Sequence, residues 1–235
     1  MEQYETDLAT CYIETLNRFP DTQAYKQYYW IYRRKGIVRV KQILQKSSEM
    51  RLSLKDRIFN DFVEQNYEKI STMEYVYQPQ QISEKCAVIC DGRIHKHLIF
   101  VINEISHFLN VSEWCITVFC TQYNVQYLKD NLKNIKNISY TVLNKLETFI
   151  DYNNLMLDIS FWNDLKYKRV FIFQMDTVLC KKGIEQFVRY DYIGAPSQSL
   201  DIMNGGLSIR SVDAMKHCLQ NYTPGRYEEE DKFFC

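Results

Sequence analysis

From residue 86 onward the chain alternates short, unbroken apolar runs with longer stretches whose apolar residues recur at helical spacing, and few architectures accept that alternation. CAVIC (86–90), WCITVFC (114–120), ISYTVL (138–143) and RVFIFQ (169–174) read as strands. HLIFVINEISHFL (97–109), VQYLKDNLKNI (125–135) and YNNLMLDISFWNDL (152–165) read as helices. A continuous apolar run is a strand covered on both faces, and a helix between two such runs is a crossover. The pattern predicts βαβ units, hence an α/β fold with a mostly parallel sheet flanked by helices.

Residues 1–80 read differently. YKQYYWIYRRKGIVRVKQILQK and SLKDRIFNDFVEQNYEKI are helical in pattern and rich in charge and tyrosine. In the second, Ile58, Phe59, Phe62 and Val63 share a helix face, and Ser53 with Asp56 offers a cap at its start. YQPQQISEK, with Pro79, reads as a linker. The expected organisation is an N-terminal helical segment over 1–80 and a second domain over 81–235.

Composition narrows the function classes. Lys plus Arg and Asp plus Glu both number 29, so charge balance gives no support to nucleic acid as a defining partner. The eight cysteines form no CxxC pair and mostly sit in strand-like runs, where free cysteine behaves as a small hydrophobe rather than a zinc ligand. The N-terminal MEQYETDLATCYIE lacks a charged-then-apolar signal pattern, and no run of about 18 apolar residues occurs, so no transmembrane segment is expected. A reducing, cytoplasmic setting follows as the expectation.

The chemistry-bearing residues cluster after the fourth strand. In FQMDTVLC, Asp176 falls just past the strand end, where open α/β sheets collect their ligands. Capping of the next turn is the competing reading. GIEQFVRYDYIGAPS reads as a helix end followed by an extended loop stiffened by Pro196. In MNGGLSIRS two adjacent glycines precede a strand-like LSIRS, which means either an Asn-Gly hairpin turn or close approach of another group to the backbone. YEEEDKFFC gathers four carboxylates, suited to a helix N-terminus or to removing a proton from a hydroxyl. Asp91, Arg93, His95 and His97 share the loop after the first strand, with Arg93 the better contact for a diphosphate or a base. His107 and His217 read as packing residues within helices.

FQMDTVLC, FVRYDYIGAPS, NGGLSIRS and EEEDKFF, in that order, resemble a family of poorly characterised domains of the GT-A glycosyltransferase type, and the resemblance covers roughly residues 85–235. LNRFPDTQAYKQYYWIYRRKG also resembles a short helical repeat that accompanies some glycosyltransferases. The resemblance implies a GT-A-like domain that binds a nucleotide-sugar donor and a hydroxyl acceptor and moves a hexose between them. It implies that Asp176, in the Gln174-Met175-Asp176 counterpart of an Asp-x-Asp motif, engages a divalent cation (Mn²⁺ or Mg²⁺) and the diphosphate. Gln174 replaces the first carboxylate of that motif. Asp91 and Arg93 would join Gln174 and Asp176 in donor binding. The resemblance further implies that Asn204, Gly205 and Gly206 shape the acceptor or sugar pocket, and that Asp231, with Glu230 next, is the general base. The GT-A pattern usually continues past the position of Cys235, so a shortened C-terminus is expected. Two alternatives stand beside this reading: a catalytically degenerate module that binds a glycan or a partner protein, and a nucleotidyltransferase. The second is disfavoured because DGRIHKH after CAVIC carries a single glycine.

Overall fold

The computed structural model describes residues 2–16, 20, 22–72, 83–109, 113–196, 202–225 and 228–235. The chain divides into two compact units, Met1–Gln65 and Asn66–Cys235.

The first unit holds α1 (Glu2–Leu16), α2 (Thr22–Gln45) and most of α3 (Ser48–Ser71), whose last turns belong to the second unit. Leu8, Cys11 and Tyr12 of α1 pack with Ala24, Tyr28 and Leu44 of α2 in a core rich in tyrosine. The polar ends of those rings are satisfied locally: Tyr4 donates to the Tyr25 carbonyl and Tyr32 to Asp7 Oδ2, both at 2.6 Å. Helix α2 kinks at Gly36, whose φ of 69° lies in the left-handed region that a side chain would oppose. Helix α3 begins at Ser48, so the expected start at Ser53 lies inside it.

The second unit is built on a six-stranded, mostly parallel sheet. Its strands are β1 (Lys85–Cys90), β2 (Trp114–Thr121), β3 (Ile138–Leu143), β4 (Arg169–Phe173), β5 (Tyr192–Pro196) and β6 (Met203–Ser211), in the order β3-β2-β1-β4-β6-β5. The first four run parallel, while β6 pairs antiparallel with both β4 and β5. Chain order therefore moves outward from β1 through β2 to β3, then returns to the other side of β1 for β4. Such a reversal opens a crevice beyond the carboxyl ends of β1 and β4.

Helix α4 (Lys96–Phe108) is apolar all round, and its residues 97–106 are buried without interruption. Its polar members pair inside: Asn103 Nδ2 donates to Ile99 O and Ser106 Oγ to Ile102 O. Helix α5 (Val125–Asn131) stops four residues short of the expected end. The single helix expected over 152–165 is two, α6 (Phe149–Met156) and α7 (Ile159–Asp164), because Asp158 leaves helical geometry to cap α7 through Ser160 N. Helices α8 (Val212–Asn221) and α9 (Glu230–Phe234) complete the unit.

Three sequence readings change. DYIGAP is no loop but edge strand β5, where Pro196 lacks a donor that an edge does not need. The glycine pair lies within β6, not in a turn. His107 and His217 are exposed rather than packed. Of the linker read over YQPQQISEK (77–85), residues 77–82 fall outside the described residues, and Lys85 is already the first residue of β1. Among the described residues, no helix is long and apolar enough to cross a membrane.

Candidate functional site at the strand switch point

The crevice between β1 and β4 is a real cleft of about 330 Å³. Asp91 and Arg93 line it from the β1 side, Gln174, Met175 and Asp176 from the β4 side, and Leu146–Tyr152 from the start of α6. The four expected donor residues thus meet in one place, although 85 positions separate Asp91 from Asp176.

Local bonding explains how each is held. Asp91 N donates to Phe119 O, extending the sheet one step past β1. Its carboxylate, itself buried, accepts from Arg93 N at 2.9 Å, Nε at 3.0 Å and Nη2 at 2.6 Å. The Arg93 side chain remains 59% exposed, and its Nη1 enters none of these bonds. The hydrogen bond to Asp91 holds the guanidinium protonated even more firmly than usual, against partial burial, and the charge of Asp176 acts in the same direction. Buried Asn124 clamps the loop: its Nδ2 donates to Asp91 O at 2.8 Å and Arg93 O at 3.0 Å, while its Oδ1 accepts from Thr121 N.

Beyond β4 the chain turns tightly, with Thr177 N donating to Gln174 O at 3.1 Å. The turn presents Asp176 outward, exposed at the cleft. Three residues on, Leu179 N donates to buried Glu104 of α4, reaching its two oxygens at 3.0 and 3.2 Å. Burial raises the Glu104 carboxyl to about 7, with the bond from Leu179 opposing. On the third side, Thr148 and Asp151 form a reciprocal cap at the start of α6, and Lys145 pairs with Asp151 at 2.9 Å. That Lys145 bond, ahead of the donors from Glu147 and Thr148, depresses the Asp151 carboxyl well below its usual range.

Beneath the cleft lies a second cluster. Arg210 of β6 is fully buried and donates through Nη1 to Glu230 Oε2 at 2.6 Å and through Nη2 to Glu230 Oε1 at 3.1 Å. Its Nη2 also reaches Gly205 O, and its Nε reaches Ser208 Oγ. The rings of Tyr192, Phe234 and Trp162 surround the guanidinium carbon at 4.9, 5.7 and 6.0 Å. Burial lowers the Arg210 pKa, but Glu230 more than compensates and the net shift is upward. Glu230 N donates to Asn153 Oδ1 at 2.7 Å, which ties α9 to α6.

This cluster accounts for the glycines. A side chain at Gly205 would collide with Glu230 and Arg210, and one at Gly206 would come within 2.5 Å of Gln174 Oε1. The close approach expected of a ligand is made instead by the protein's own side chains. Asn204 is exposed and turns its Oδ1 back to accept from Gly206 N at 2.8 Å.

The two clusters meet through Gln174, which lines the cleft and also packs on Gly206. Asp231 is half-exposed at the start of α9, accepts from Lys232 N, and does not line the cleft. Tyr152 was not anticipated. It borders the cleft, its hydroxyl is buried beside Gln174 with no hydrogen bond formed among the described residues, and burial, then Glu230, drives its pKa up. Nor was any role expected for Arg210, Asn124 or Glu104. Of these, only Arg210 left a trace in the sequence, as a lone cation in an apolar strand that must find a buried acid.

Among the described residues, no group of three or more His, Cys, Asp or Glu side chains could hold a metal ion. Asp91 is engaged by Arg93, which leaves Asp176 and Glu147, both exposed, as the carboxylates the cleft offers. Either fits a hard cation whose remaining ligands are phosphate oxygens and water.

Residues 134–235 match a family model described as "Protein of unknown function (DUF5672)". The chain is similar to the crystal structure of S. aureus TarS 1-349, at 11% identity and a TM-score of 0.46, over 64% of this chain and 53% of that one. It thus spans about half the length of that structure. No curated protein matches it.

Proposed function

We propose that the second unit is a GT-A-type glycosyltransferase domain that moves a hexose from a nucleotide sugar to a hydroxyl acceptor, with the donor in the switch-point cleft. One observation carries this reading: residues after β1 and after β4 converge on a single cleft at the place where open α/β sheets bind ligands. Arg93, oriented by Asp91, faces the donor phosphates, and Asp176 shares them with a divalent cation. When bound, that cation offsets the negative charge left on the diphosphate as the sugar departs. Gln174, packed on Gly206, fixes the floor.

Glu230 is committed to Arg210, so Asp231, half-exposed beside it, is the proposed base that takes the acceptor proton. The same commitment of Glu230, together with Gln174 in place of the motif's first carboxylate, favours a second reading, a binding module without turnover.

Thermal denaturation of the purified chain with UDP, GDP and their sugar conjugates, with and without Mn²⁺, tests the proposal. A metal-dependent rise with one nucleotide sugar, absent in Asp176→Ala, is the expected result. Absence of any shift in a cooperatively melting protein would sink donor binding. A shift without sugar transfer or donor hydrolysis, unchanged by Asp231→Asn, would select the second reading.

A further inference from the structure

Helix α2 carries six Lys or Arg residues and no Asp or Glu between Thr22 and Gln45. Of the six, Lys41 pairs with Glu14 at 2.7 Å and Arg39 donates to Gln42. Lys26, Arg33, Arg34 and Lys35 are exposed and form no ion pair among the described residues. At helical spacing Lys26, Trp30, Arg33 and Arg34 fall within roughly 100° of arc. The opposite side of the helix buries Ala24 and Tyr28 against α1. At the centre of the outward arc stands Trp30, 67% exposed, its ring set edge-on to Tyr29. Past the kink at Gly36, Val38 is exposed to the same degree.

We propose that this face of α2 docks on an anionic membrane surface. The side-chain charges of the whole helix are of one sign, and each Lys or Arg near an anionic bilayer contributes to attraction. Tryptophan is the side chain that favours the interfacial layer, where the Lys and Arg around it reach the headgroups. A single-stranded polynucleotide also attracts cations and aromatic rings. It stacks successive bases on several rings, whereas this arc presents one, Trp30, which is why the bilayer is preferred.

The protein carries its own reporter. Only three tryptophans are present, and Trp114 and Trp162 are buried in the second unit, so a change in polarity at the surface of α2 is read from Trp30 alone. The experiment mixes the full chain with phosphatidylcholine vesicles, with vesicles containing about 30% phosphatidylserine, and with a single-stranded RNA oligonucleotide, following Trp emission and flotation.

The expected result is flotation with the phosphatidylserine vesicles and a blue shift in emission, both reversed by added salt. Trp30→Ala should abolish the shift. The double variant R33E/R34E should weaken binding at least about tenfold. Both changes are at exposed positions, and salt reversal on the unaltered chain needs no variant at all. Failure to float, equal binding to neutral vesicles, or a shift with RNA and none with vesicles would each overturn the proposal.

Discussion

Two glutamates are buried beside the same sheet, and they are accommodated in opposite ways. Glu230 lies against Arg210 in a two-bond pair ringed by aromatic side chains. Among the described residues Glu104 accepts from the amide of Leu179 and meets no cation, and its carboxyl is raised to about 7 by burial. A carboxylate removed from water must either find a cation or hold its proton, and these two glutamates show one solution each. The paired one holds α9 against β6. The unpaired one tethers the turn that presents Asp176.

The sharpest way to break the contrast is to remove the cation. Arg210→Ala leaves Glu230 buried and uncompensated, and urea unfolding should show a loss of about 3–5 kcal/mol. An Arg210→Leu, Glu230→Leu double variant should recover most of it. Equal losses in single and double variants would mean that packing, not charge, holds the pair.

Glu104 should make the stability of the fold depend on pH. The folded chain keeps a proton on Glu104 that the unfolded chain releases near 4.5. Stability from this group is therefore full below pH 4.5, declines as pH rises toward 7, and is flat above. In Glu104→Gln that dependence vanishes, so the difference between variant and parent should move about 3 kcal/mol in favour of glutamine from pH 4.5 to pH 8. A parallel pair of stability profiles would contradict the raised carboxyl.

The smallest effects are expected at the glycines. Gly205→Ala presses on a locked pair and should cost about 1–3 kcal/mol, whereas Gly206→Ala meets the end of Gln174 and should cost less. Reversal of that order in thermal melts would show that Gln174, not the ion pair, is the rigid neighbour.

The sheet was largely legible in the sequence because β1 to β4 are unbroken apolar runs, a signal carried by each segment alone. β3 matches its expected bounds, and the other three differ by a residue. Strand β5 was not legible, since Gly194 and Pro196 in YIGAP carry turn chemistry and an edge strand needs little propensity. The meeting of Asp91, Arg93, Gln174 and Asp176 follows from the strand-end rule. The Arg210–Glu230 pair does not. Its members are twenty residues apart, Glu230 looks like one more charge in an acidic run, and only the three-dimensional closure of α9 on β6 tells Arg210 which acid it meets.

That separation has a consequence for refolding. Burying Arg210 beside β4 is unfavourable until α9 closes on β6, so the last helix and the antiparallel half of the sheet are expected to form together rather than one after the other.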